Sequence, residues 1–221
     1  VGAFLGTHVA STIGKGIVAS GSVTQGVILC ALLAAVIWNL FTWYYGIPSS
    51  SSHALIGGLM GAAITKAGYH TVNFEGVTAK VLLPMVTSPL IGFAFGFLCM
   101  AAILWACAGA KPDSVNKYFR KLQLVSSGVM ALSHGSNDAQ KTMGIITLAL
   151  VSYHALPTFE VPYWVILGCA VTMGLGTMAG GWRIIRTMGS KMIKLKPAHG
   201  FAAETAAAAV ILTASHFGIP V

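Results

Sequence analysis

Four long apolar runs dominate the chain, at Val23–Tyr44, Val81–Cys107, Leu122–Val151 and Tyr163–Gly181. A helix needs about 20 such residues to cross the hydrocarbon core of a bilayer, and these runs meet or approach that length. A milder fifth run follows at Gly200–Phe217. The runs are too long for a turn-rich β protein, which leaves helices. Only 8% of the 221 residues are charged, against about 25% in soluble domains, so lipid is the solvent for much of the surface. Trp43, Tyr44, Tyr45, Tyr163 and Trp164 stand at run ends, where amphipathic rings favour the interface. The 26 glycines suit close helix packing in a bilayer. The fold class is an all-α membrane protein, a multi-spanning helical bundle.

The net charge of +8 does not point to nucleic acid, because the basic residues fall into two short stretches between apolar runs. One holds Lys111, Lys117, Arg120 and Lys121, the other Arg183, Arg186, Lys191, Lys194 and Lys196. Short basic loops of this kind face the cytoplasm. Two crossings separate them, and the loop between those crossings has no Lys or Arg, so the two assignments agree. The loop at Tyr69–Ala79 is then external, while the orientation upstream of it stays open. Cys30, Cys99, Cys107 and Cys169 show no metal-type spacing and read as packing residues. The apolar stretch Leu55–Thr65 spans only about 16 Å as a helix. It reads as a half-helix or re-entrant segment, opened by Pro48 and a serine run.

Short segments recur in order. Thr12–Lys15 (TIGK) resembles Thr187–Ser190 (TMGS), Ala34–Ile37 (AAVI) recurs at Ala208–Ile211, and Gly46–Pro48 (GIP) at Gly218–Pro220. The spacing between copies is nearly constant, as expected of a repeat. Repeated halves are common in secondary transporters, whose substrate site lies where the halves meet. Residues 1–110 then belong to a first transmembrane repeat, 111–121 form a basic cytoplasmic loop, and 122–221 belong to a second repeat. Each copy lacks a stretch that the other has, so the chain is expected to be cut at both ends.

Two polar constellations carry chemistry. The first, Ser133–Gly144, reads SHGSNDAQKTMG and sits in the middle of Leu122–Val151. That run would be about 45 Å long as one helix, against a core near 30 Å, so a break is expected at Gly135–Asn137. Asp138 and Lys141 lie near its centre, where a charge costs about 2.5–3.5 kcal/mol even on lenient scales. An i, i+3 ion pair would be the structural explanation. The surrounding Ser, Asn, Gln and His favour a functional site instead. The second constellation, Gly46–Gly58, reads GIPSSSSHALIGG. Pro48 ends one helix and a serine caps the next, leaving a helix N-terminus with hydroxyl donors, a setting suited to an anion. Its plain alternative is an N-capped turn at the membrane surface. Asn39 and Glu204 are weaker candidates, the first as interhelical glue, the second as an interfacial charge.

These motifs resemble those of the inorganic phosphate transporter (PiT) family, bacterial members above all. Gly135–Gly144 (GSNDAQKTMG) is similar to the second copy of the family's Gly-Ala-Asn-Asp motif. Pro48–His53 (PSSSSH) resembles the first copy of its Pro-x-Ser-Thr-Thr-His motif, with serine in place of both threonines. The resemblance covers essentially the whole chain. The partner copies, a first Asn-Asp motif and a second Ser-Thr-Thr-His motif, are absent. The resemblance implies an inverted repeat with broken or re-entrant helices, and a phosphate symporter driven by H⁺ or Na⁺ with its site at the membrane midplane. Ser50, Ser51, Ser52, Asn137 and Asp138 then serve phosphate. Asp138, Asn137 and Gln140 serve the coupling ion, with His53, Lys141 and Ser136 in support. No cofactor is implied, and no metal other than Na⁺ at Asp138. The expected partners are inorganic phosphate, free or as a metal complex, and the lipid bilayer, with a homodimer compatible. The expected location is the bacterial inner membrane. Sulfate or another oxyanion is the alternative cargo. An intramembrane serine hydrolase using His53 or His134 is a third reading, but no Gly-x-Ser-x-Gly elbow is present.

Overall fold

The computed structural model describes residues 2–4, 6–19, 21, 23–186 and 196–220. Nine α-helices are named here in chain order: α1 His8–Lys15, α2 Gln25–Tyr45, α3 Ser51–Ala67, α4 Phe74–Val77, α5 Leu83–Ala106, α6 Pro112–Ser152, α7 Tyr163–Gly180, α8 Trp182–Arg186 and α9 Pro197–His216. A π-helical turn, Thr78–Leu82, joins α4 to α5 without interruption. Helices α2 and α7, and the continuous stretch Phe74–Ala106, are long and apolar enough to cross a membrane. Phe93, Phe97, Leu98 and Trp105 on α5 are exposed, as expected of side chains facing lipid. Among the described residues there is no β-strand, only an isolated bridge between Val18 and Val72.

The expected break in the second polar run does not occur. Helix α6 continues from Pro112 to Ser152, about 60 Å at the usual rise. Its polar side chains find partners without freeing the backbone. Ser133 donates back to the carbonyls of Val129 and Met130, at 2.9 and 3.0 Å. Asp138 pairs within the helix with Lys141 and His134, while Asn137 and Gln140 reach neighbouring elements. The excess length is taken up at the other end. Residues 112–121, expected as a loop, form the first turns of α6, with Pro112 and Asp113 in its opening turn, where proline and an acid are favoured. The interrupted elements are instead α3, which starts beside the middle of α6, and α9, which ends there.

Contacts along α6 fix the helix directions. Ser126 donates to Glu204, and Asn137 donates to Ser215; both pairs are 78 residues apart, so α9 runs parallel to α6. Helix α2 runs the other way. Gln25 at its start donates to Ala149 and Ser152 at the end of α6, and Trp43 near its finish donates to the Gly180 carbonyl at the end of α7. Yet α2 and α9 carry the same AAVI segment and stop in the same way. Gly46 and Gly218 have φ of 67° and 69°. Ile47 N–H donates to Thr42 O and Ile219 N–H to Ala214 O, each at 2.8 Å, the 6→1 bond of a glycine-terminated helix. Equal sequence, equal cap and opposite direction are what an inverted repeat produces. The matching segment Thr187–Ser190 lies outside the described residues, as do Lys191 and Lys194 of the second basic stretch.

Two apolar clusters hold the bundle around α6. One joins Val9, Ile13 and Ile17 to Val27, Ile28, Ile56, Leu59, Ile145 and Leu148. The other joins Ala10, Ala139 and Met143 to Val165, Ile166 and Cys169. Two glycines set the spacing. A Cβ on Gly144 would stand 2.6 Å from the Ala10 carbonyl oxygen, and one on Gly58 2.7 Å from that of Ala31, so α1–α6 and α2–α3 cross with backbones in contact.

Candidate functional site

Three helix ends converge on the middle of α6. The first is the start of α3. Ser50 is its N-cap, and its hydroxyl accepts from His53 N–H at 3.2 Å. Helix geometry leaves the N–H groups of Ser51 and Ser52 without intrahelical partners, at the positive end of the dipole. Ser50, Ser51 and His53 are exposed, while Ser52 is buried. Lys141 on α6 donates to the Ser52 hydroxyl at 2.5 Å and to Asp138 Oδ1 at 2.7 Å. One ammonium therefore touches the serine segment and the aspartate, residues far apart in the sequence. His134, exposed, approaches the other oxygen of Asp138 at 3.2 Å. Lys141 is 3% exposed. A charge so enclosed needs compensation, which the carboxylate supplies.

The second end is that of α9. Asn137, fully buried, donates through Nδ2 to Ser215 Oγ at 2.7 Å and to the Ile219 carbonyl at 3.2 Å. Its Oδ1 is buried with no donor. That carbonyl is an acceptor held beside an anionic residue, of the kind that suits a small hard cation. The third end is the start of α1, where Gln140 Oε1 accepts from Val9 N–H at 3.0 Å. Gln140 Nε2 donates to Ser136 Oγ at 3.4 Å. Gln140 thus ties α1 to α6, and Ser136 holds its amide from within α6.

Asn39 and Glu204 are not brought here. Asn39 lies half-buried on α2, where its carbonyl accepts from the Thr42 hydroxyl. Glu204 accepts from Ser126 at 2.5 Å, three turns along the α6–α9 seam from Asn137. Sequence reading missed Ser215, the Ile219 carbonyl and the start of α1. A serine in a run of small residues carries no signal of its own, and backbone groups carry none at all.

The sequence profile of the phosphate transporter family matches residues 1–221. The chain belongs to the phosphate transporter family. A probable low-affinity inorganic phosphate transporter of Rhizobium meliloti (strain 1021) is 48% identical over 219 residues, covering 99% of this chain and 65% of the relative. Proteins of the same description from Mycobacterium tuberculosis (strain ATCC 25618 / H37Rv) and Bacillus subtilis (strain 168) are 46% and 45% identical. They are covered to 53% and 67%, with 99% and 100% of this chain matched. The chain thus spans about half to two thirds of these relatives. A solved structure titled as the sodium-dependent phosphate transporter superposes with a TM-score of 0.86 at 24% identity, covering 99% of this chain and 73% of its own. That likeness shows the fold. The family member described here is an integral membrane protein, and its bacterial relatives are consistent with the inner membrane.

Proposed function

We propose that this phosphate transporter family member forms part of a secondary active symporter for inorganic phosphate, driven by H⁺ or Na⁺. The observation that carries the reading is the single Lys141 ammonium shared by Ser52, at the start of α3, and Asp138, in the middle of α6. Hydroxyls, helix N–H groups and an ammonium offer donors to an oxyanion. Asp138 and the undonated Asn137 Oδ1 offer oxygens to a cation a few side chains away. Ser50 and Ser51, exposed beside Ser52, supply further hydroxyls. His53 caps nothing with its ring and stands at the rim. In this reading residues 1–110 and 122–221 belong to opposed halves joined at 111–121 on the cytoplasmic side. Chemistry of this kind does not by itself separate phosphate from sulfate; the names of the relatives favour phosphate.

The test is uptake of radiolabelled phosphate into proteoliposomes carrying the full-length protein. Inward proton or sodium gradients are imposed separately, and sulfate and magnesium are added as competitor and complexing ion. Gradient-driven phosphate uptake that sulfate fails to suppress is the expected result. Sulfate uptake at a higher rate than phosphate, or no uptake under either gradient, sinks the proposal.

A further inference from the structure

We infer that Lys141 is a tethered cation that keeps the transport site neutral when it is empty, and so decides which loading states cross the membrane. The inference rests on the symport reading above and gives Lys141, beyond its role as a donor to the anion, a second task as the counter-charge of the empty site. Lys141 and Asp138 are one helical turn apart on α6, joined at 2.7 Å, at the depth where Asn137 and Ser52 are also buried. The carboxylate alone would leave a net negative charge in the empty site. The ammonium cancels it, and the Ser52 hydroxyl accepts a further hydrogen bond from it.

The consequences follow by counting charges at the pair. The empty site is neutral. With one cation on Asp138 and a monovalent phosphate against Lys141 and the α3 N-terminus, it is neutral again. With the cation alone it is positive, and with phosphate alone it is negative. An unbalanced unit charge in the core suppresses a crossing by about a hundredfold on insertion scales. Only the empty and the fully loaded forms then reorient, which is the condition for coupled transport without leak. No bond is made or broken in this scheme. Lys141 only exchanges partners: the cation replaces it at Asp138, and the anion receives it.

Removing the ammonium inverts the rule. In Lys141→Met the empty site and the fully loaded site are both negative, and only the cation-only site is neutral. The variant should therefore carry phosphate poorly and should pass cations without phosphate. The experiment uses the full-length protein in proteoliposomes with an imposed inward gradient of the coupling cation. Net phosphate uptake by Lys141→Met should fall at least tenfold below wild type, with or without the cation in the lumen, because its loaded site is charged. A phosphate-independent ²²Na⁺ or proton flux should appear in Lys141→Met. It should be absent from wild type, from Lys141→Arg, which keeps the charge, and from Asp138→Asn/Lys141→Met, which is neutral without either group. Wild-type net uptake by Lys141→Met into a cation-free lumen overturns the inference. So does the absence of the phosphate-independent flux. A wild-type protein that takes up no phosphate under any gradient instead overturns the symport reading, so the two failures are told apart.

Discussion

At the scale of single residues, the symport proposal divides the site into groups that serve the anion and groups that serve the cation. Ser52 donates nothing to the protein in the contacts seen here and accepts from Lys141, so its hydroxyl hydrogen is available to an oxyanion. Ser52→Ala removes both that donor and an acceptor for a buried ammonium. A hydrogen bond to a charged group contributes about 1.5–3 kcal/mol, so the half-saturating phosphate concentration should rise by about tenfold or more, while the dependence on coupling cation keeps its slope. Asp138→Asn should do the reverse, flattening the cation dependence. Uptake measured over a grid of phosphate and cation concentrations separates the two. If both variants change the same slope, the division of labour is wrong. The sequence singled out Ser52, Asp138 and Lys141 separately, from their types and their place in apolar runs. Their junction was expected only loosely, because nothing local ties Ser52 to a lysine 89 residues away.

At the scale of elements, the lesson lies in α6. A polar cluster inside an apolar run was read as a demand for a broken helix. Yet hydrogen-bond demand can be met from outside, and here α1, α3 and α9 meet it. Such partners come from tertiary structure, which a local pattern does not encode. The helix ends were more legible, since caps act through local chemistry: a serine cap stands at Ser50 as expected, while α2 stops at Gly46, two residues before the Pro48 expected to end it. The unbroken helix makes a contrasting pair of predictions. No atom lies within 4 Å of a Cβ added to Gly135, and alanine stabilises a helix interior by about 0.5–1 kcal/mol over glycine, so Gly135→Ala should raise the melting temperature. Gly144→Ala should lower it, because the new methyl meets the Ala10 backbone at 2.6 Å and overpacking costs about 1–3 kcal/mol. Thermal unfolding of the purified protein in detergent reads both. A loss of stability in Gly135→Ala equal to that in Gly144→Ala would restore the hinge.

At the scale of the whole molecule, we propose from two observations that the basic end of the bundle faces the cytoplasm. The first is charge: Lys111, Lys117, Arg120 and Lys121 flank the start of α6, whereas the α6–α7 connection has no Lys or Arg, and basic flanks stay inside. The second is geometry, which carries that assignment to segments the charge pattern leaves open. Gln25 joins the start of α2 to Ser152 at the end of α6, and Lys66 near the end of α3 donates to Thr24. Tyr69, Thr24 and Ser152 therefore share the face opposite the basic stretch, and in this proposal α2 enters from outside and its oppositely directed counterpart α9 from inside. A single-cysteine scan of the full-length protein, in a background without its native cysteines, tests this assignment. Tyr69→Cys, at a side chain 72% exposed, should react with a membrane-impermeant thiol reagent added to intact cells. Lys117→Cys should react only after the membrane is opened. Labelling of Lys117→Cys from outside, or of both sites from one side, would break the link between the charge pattern and the helix directions. With it would go the opposed orientation of α2 and α9 relative to the membrane.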